Sequence, residues 1–185
     1  MILRALVSAT AATLIAASGA WARDLTGVVT LEGEPVGDIA VYVEDATGGP
    51  KDHPHTMNQQ NLAFEPPVLP VLQGTTVEFT NADAICHSVM ATKGTDTFDL
   101  GLKVTGAKST HRFDNPGPVL VQCQVHKHMK GYILVLKNGY FTNTDDKGRF
   151  TLHNVPDASV RVTAWSSPTK SLTKTEAGTS LDFAL

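Results

Sequence analysis

The chain has 185 residues, 42% of them apolar, and a net charge of −3 with histidines neutral. That is enough apolar material for one large or two small domains, and the acidic balance argues against nucleic acid or a basic membrane-surface protein.

Met1 to Arg4 make a short basic start, Ala5 to Ala17 are almost all small or apolar, and Ala20-Trp21-Ala22 supplies an A-x-A cleavage signal. Residues 1–22 therefore read as a secretory signal peptide. Its removal takes Arg4 with it and moves the net charge from −3 to −4. The run is short for a membrane span, and no later stretch approaches about 18 apolar residues. The expectation is a soluble, exported protein, periplasmic or secreted, with no transmembrane segment after cleavage.

Asp24 to Asp45 reads as two β-rich runs around an E-G-E-P turn, with Ile39, Val41 and Val43 sharing a face by the period of two. Ala46 to Asp52 has the Gly and Pro content of a linker. His53, His55 and Met57 follow as H-P-H-T-M; two apart in an extended segment, they could converge on a second metal, and an exposed polar loop is the plainer alternative. Pro66-Pro67, Pro70 and Gly74 divide short apolar runs suited to edge strands and bends. Thr75 to Thr80 alternates as a half-buried strand, which the turn formers Asn81 and Asp83 end, leaving His87 on the following loop. Thr92 to Ser109, rich in Gly, Thr, Lys and Asp, reads as a long ordered loop with at most a short strand. Thr110 to Phe113 is a strand, and Asn115-Pro116-Gly117-Pro118 a turn.

Val121 to Val135, V-Q-C-Q-V-H-K-H-M-K-G-Y-I-L-V, holds the densest chemistry. C-x2-H-x2-M places a thiolate, an imidazole and a thioether in one tight loop between two strands, a soft donor set suited to copper. With His87 from upstream, His87, Cys123, His126 and Met129 form the two-His, one-Cys set with weak axial Met that defines a blue-copper electron-transfer centre, one type 1 copper per chain. A Cys86–Cys123 disulfide is the ordinary reading of two cysteines in an exported chain. It leaves both histidines and Met129 without a role. Cys86 is either a small buried residue or a second sulfur near the metal. His128, beside Met129, faces solvent or supports the ligands, while His111 and His153 read as surface or structural histidines. Lys127, His128 and Lys130 surround His126 and offer either a positive docking face or mere solubilising decoration.

Past a boundary at Asn138 to Tyr140, the chain reads as strand, D-D-K-G turn, strand, N-V-P-D turn and strand, with Leu181, Phe183 and Leu185 alternating in a final strand. No 3.6-period stripe of useful length appears, so the mature chain should be all-β.

C-Q-V-H-K-H-M-K-G-Y, with the upstream N-x-D-x3-H, resembles the cupredoxins, and its ligand loop is similar to that of amicyanin. Q-x-N-L-A-F-x-P-x-V-L-P-V-x-x-G-T-T-V-E-F-T-N, then F-D-L-G and T-x-D-D-K-G-R-F-T-L-x-N-V-P, resemble bacterial plastocyanin-like proteins often labelled methylamine utilisation proteins, over about residues 57 to 165. The resemblance implies His87, Cys123, His126 and Met129 as copper ligands. Two departures stand out: Ser88 follows the first ligand where Asn is frequent, which alters the hydrogen bond between ligand loops, and Cys86 precedes it where an apolar residue is ordinary. The flanks, G-V-V-T-L-E-G-E-P-V-G-D-I-A-V-Y-V and T-D-D-K-G-R-F-T-L-H-N-V-P, resemble the two parts of a carboxypeptidase-regulatory-like, transthyretin-type sandwich. The implied architecture is a Greek-key cupredoxin β-sandwich over 53–138, inserted into a second, smaller sandwich of 24–52 with 139–185. The alternative is one continuous sandwich with an elongated N-terminal arm.

The expected function is single-electron transfer through Cu(II)/Cu(I) to a redox partner such as a periplasmic cytochrome or dehydrogenase, with no enzymatic activity. A copper chaperone or scavenger, and an adhesion or carbohydrate-binding sandwich with structural copper, are the alternatives at this point.

Overall fold

Because residues two apart in a strand share a face, the alternating runs of this chain dress four sheets with apolar faces that enclose three cores. The computed structural model describes residues 22–185. The expected leader, 1–22, lies outside the described residues except for Ala22, which opens the first strand opposite Pro156. Among the described residues there is no α-helix, and the protein is all-β. In order, the strands are β1 (Ala22–Leu31), β2 (Glu34–Pro35), β3 (Ala40–Val43), β4 (Thr56–Gln60), β5 (Ala63–Glu65), β6 (Val68–Leu72), β7 (Thr75–Asn81), β8 (His87–Gly94) and β9 (Phe98–Lys103). They continue as β10 (Lys108–Phe113), β11 (Gly117–Gln122), β12 (Lys130–Leu136), β13 (Phe141–Asn143), β14 (Arg149–Pro156), β15 (Val160–Ser167), β16 (Lys170–Glu176) and β17 (Phe183–Ala184).

The central segment supplies two sheets, β10-β7-β4-β5 and β6-β12-β11-β8-β9. Met57, Phe64, Phe79, Val89, Phe113 and Ile133 are among the side chains buried between them. The proline-bearing β6 sits at an edge, paired parallel to β12, where a missing N–H disrupts least. The flanks supply β14-β1-β17, with β2 on β1, and β13-β3-β15-β16; Leu25, Val29, Ile39, Val41, Val43 and Val162 share their core. A third cluster joins the two pairs of sheets: Val68, Leu134 and Leu136 on one side meet Ala40, Phe141 and Trp165 on the other. β12 therefore works on both faces, Ile133 and Val135 inward and Leu134 and Leu136 into this junction.

The chain crosses between the two pairs of sheets twice, and the crossings lie together. Gly139 N–H donates to the Gly48 carbonyl (2.8 Å), and Asn138 Nδ2 to that of Val43 (2.8 Å). A Cβ on Gly139 would run into the Pro50 carbonyl, so this approach needs glycine.

Two local expectations are corrected. Thr92 to Ser109 is mostly strand: β8 runs on to Gly94, β9 pairs with β8, and Phe98 and Leu100 pack on the central core. Phe98, Leu100 and Leu102 alternate in β9, but Gly101 interrupts the strand and the Gly, Thr and Asp around it read as loop. His87 is the first residue of β8 rather than part of the preceding loop, and the sheet fixes its backbone.

The turn after β13 carries a pH-dependent pair. The Arg149 guanidinium and backbone N–H groups hold the Asp145 carboxyl down at about 2, against about 3.9 for a free aspartate. A depressed carboxyl contributes stability that is present above its unfolded value and is lost as pH falls through its folded one. Asp145→Asn is therefore expected to flatten the loss of stability between about pH 4 and 2, read as denaturation midpoints across that range; a slope equal to the wild type would show that the pair contributes nothing.

Candidate metal centre

Three donors from separate strand ends meet at one end of the central sandwich. His87 opens β8, Cys123 follows β11, and His126 lies on the loop before β12. The loop closes on itself through Cys123 N–H to the Met129 carbonyl (3.2 Å) and Met129 N–H to that of His126 (2.9 Å). His87 Nδ1 lies 3.0 Å from His126 Nδ1, and the two are 4.0 and 3.9 Å from Cys123 Sγ. A point equidistant from all three lies about 2.1 Å from each, the length of a metal bond to nitrogen or sulfur. The residues fit a metal ion.

The sulfur lies among donors that favour its anion. Burial pushes the Cys123 thiol up, yet the N–H of Ser88, the N–H of His126, the Ser88 hydroxyl and the N–H of Val125 outweigh it and bring it down to about 6. The N–H groups of Ser88 and His126 both reach Sγ at 3.4 Å. Ser88 also ties the two ligand-bearing segments together, its Oγ accepting from Gln124 N–H at 2.8 Å. The departure at Ser88 thus retains a bridge with a shorter side chain. Gln59, buried in β4, donates to the Ser88 carbonyl at 3.1 Å.

On the far side of the ring, His87 Nε2 meets Asp83 Oδ2 at 2.8 Å. A carboxylate only accepts, so Nε2 carries the proton and Nδ1 presents its lone pair. The Leu62 N–H above all, then the His87 ring and the Asn61 N–H, lower the Asp83 carboxyl. Read from sequence as a turn former, Asp83 is the main residue that reading missed; the signal was its place four residues before His87. Asn81 does shape the turn, accepting from Asp83 N–H (3.0 Å) and donating to the Ile85 carbonyl (2.8 Å).

Met129 is 1% exposed and shares a core with Cys123. Both cysteines are free, Cys86 partly exposed. His128 is exposed. His111 pairs with Asp96 (2.8 Å) and stacks on Phe98, and His153 pairs with Asp24 (2.9 Å). The H-P-H-T-M residues do not converge: His53 stacks on Phe141 and bonds the Pro50 and Gly139 carbonyls, His55 is exposed, and Met57 is buried in the core.

The model of copper binding proteins of the plastocyanin/azurin family matches residues 52–136. No curated protein matches the chain. Among solved structures, a copper-containing nitrite reductase from Thermus scotoductus SA-01 is similar at 27% identity and TM-score 0.43, over 52% of this chain and 25% of its own. A purple cupredoxin from Nitrosopumilus maritimus is similar at 22% and 0.40, over 43% of this chain and 97% of its own. A reduced amicyanin mutant is similar at 20% and 0.42, over 52% and 97%. This chain thus spans a quarter of the nitrite reductase. The family match falls on the central segment, the segment in which His87, Cys123 and His126 come together as a group able to hold a metal ion. The relationship is to the plastocyanin/azurin family at large; the nearer likeness to methylamine utilisation proteins gains no support from these matches.

Proposed function

We propose that the protein is an exported one-electron carrier in which His87, Cys123, His126 and Met129 hold a single type 1 copper. The observation that carries this is the convergence of two Nδ1 atoms and one Sγ, 3.0 to 4.0 Å apart. Copper supplies the Cu(II)/Cu(I) couple. The protein supplies rigidity: His87 is fixed by Asp83, Cys123 by Ser88 and the His126 N–H, and the sheet of β12, β11 and β8 carries all three donors before metal arrives. Ligands that need not move allow rapid transfer. Four protein donors leave no position for a substrate, which favours a carrier over an enzyme.

His87 is fully buried and His126 half-exposed, so the His126 ring edge is the port for electrons. Ile85 (45% exposed) and Val125 (54%) lie on the two ligand loops as apolar contacts for a partner, a periplasmic cytochrome or dehydrogenase. Lys127 and Lys130 give the approach positive charge despite the acidic total. Lys127→Glu/Lys130→Glu is expected to slow electron exchange with an acidic cytochrome at low salt, by about tenfold or more, and to reverse the salt dependence; stopped-flow rates that keep the wild-type salt dependence would remove the lysines from docking.

Export is supported by the leader-like sequence of residues 1–22; among the described residues no helix is long and apolar enough to cross a membrane. We further propose that residues 24–52 and 139–185 fold as one transthyretin-like sandwich with the copper module, 53–138, inserted. The pairing of β1 with β14 and of β3 with β13 and β15 supports this, as do the adjacent crossings at Gly48 and Gly139.

A further inference from the structure

The loop between β4 and β5 is a two-residue hairpin turn, Asn61-Leu62, closed by the Gln60–Ala63 pair. Both residues have positive φ, 54° and 59°. Such turns favour Asn-Gly, and a bulky residue in this region is strained unless its surroundings hold it there. Leu62 is 39% exposed, so core packing is not what holds it. What holds it is Asp83: Asn61 N–H donates to Oδ1 at 2.8 Å and Leu62 N–H to Oδ2 at 3.0 Å. Oδ2 is the atom that also accepts from His87 Nε2 at 2.8 Å. Asp83 is anchored from behind as well, its carbonyl accepting from the Thr105 hydroxyl at 2.7 Å.

We infer that the Asn61-Leu62 turn is a positioning element of the metal centre: its two N–H groups aim the Asp83 carboxylate, which in turn sets the tautomer and rotation of His87. The inference rests on His87 as a copper ligand. A carboxylate free to rotate would serve His87 intermittently and let the ring exchange its proton between nitrogens. With both oxygens occupied by the turn, the carboxylate has one orientation, and the ring keeps Nδ1 unprotonated and directed at Cys123 and His126. The hairpin lies more than twenty residues before His87 in sequence, yet it touches the ligand through one side chain.

The test uses the full chain with nitrogen-labelled histidine, read by imidazole nitrogen shifts in the copper-free and Cu(I)-loaded states, together with the reduction potential. In the wild type, copper-free His87 is expected to be a single Nε2-protonated tautomer. Asp83→Asn puts an amide donor where the turn and the ring both donate, so the tautomers should mix and, with a negative charge lost, the potential should rise. Leu62→Val, a β-branched residue that resists positive φ, should displace the turn, mix the tautomers and shift the potential, and should add nothing in the Asp83→Asn background. Leu62→Gly, which accepts positive φ without strain, should restore the wild-type tautomer. If Leu62→Val lowered only the melting temperature, or if its shift added fully to that of Asp83→Asn, the inference would be overturned. Should Leu62→Val fail to fold, Asp83→Asn alone decides: the Asn61 and Leu62 amides must lose hydrogen-exchange protection, and unchanged protection refutes the link. Cu(I) that leaves the His87 Nδ1 resonance unmoved would instead overturn the ligand assignment beneath it.

Discussion

Cys123→Ser is expected to abolish the intense visible band of the copper-loaded protein and its reversible one-electron couple, while leaving the fold intact. The thiolate is the only soft anionic donor of the proposed set, and the protein readies it: burial raises the thiol, but the surrounding N–H groups and the Ser88 hydroxyl lower it to about 6. The sulfur is thus substantially ionised near neutral pH before copper binds. A serine hydroxyl stays protonated there and gives no sulfur-to-copper charge transfer. Copper affinity should fall by more than the roughly 10–100-fold that follows loss of a supporting hydrogen bond to a ligand. Absorption spectra, competition with a copper chelator and thermal melts of the copper-free variant measure the three effects. A retained band would mean that another sulfur, Cys86 foremost, binds the metal.

Trp165→Ala should cause the largest loss of stability, about 3–5 kcal/mol, and lower the melting temperature by about 10 °C. Trp165 is 6% exposed on β15 and meets Tyr132 edge to face, with ring centroids 5.2 Å apart. Tyr132 lies three residues beyond Met129, on the strand that leaves the ligand loop. The substitution hollows the junction between the flanking and central sheets without touching a donor, so the copper band at low temperature should match the wild type. On heating, the band and the flanking sheets' circular dichroism should disappear together, earlier than in the wild type. A band that survived to the wild-type temperature while the flanks melted would show that the central sheets do not draw stability from this face.

Where candidate donors lie close in sequence, the chain was legible. C-x2-H-x2-M is a single loop, and its donor types mark it as soft regardless of fold. Strand faces were equally plain wherever apolar residues alternate, as in Ile39, Val41 and Val43 or in Ile133 and Val135, which line the expected cores. The period of two failed for H-P-H-T-M because β4 begins only at Thr56. Met57 obeys the strand and turns inward, while His53, before it, follows the linker to Phe141. β9 stayed hidden because Gly101 breaks its run and the Gly, Thr and Asp on either side carry the signal of a loop, although Phe98, Leu100 and Leu102 alternate. Asp83 looked like a turn former because its other role depends on N–H groups of Asn61 and Leu62, which only the fold brings to it.

X-ray absorption at the copper edge of the copper-loaded protein reads the atoms around the metal directly. Two imidazole nitrogens and one short sulfur, with a second sulfur at longer range, is the result expected from His87, His126, Cys123 and Met129. A shell of nitrogen and oxygen alone, with no short sulfur, would contradict it.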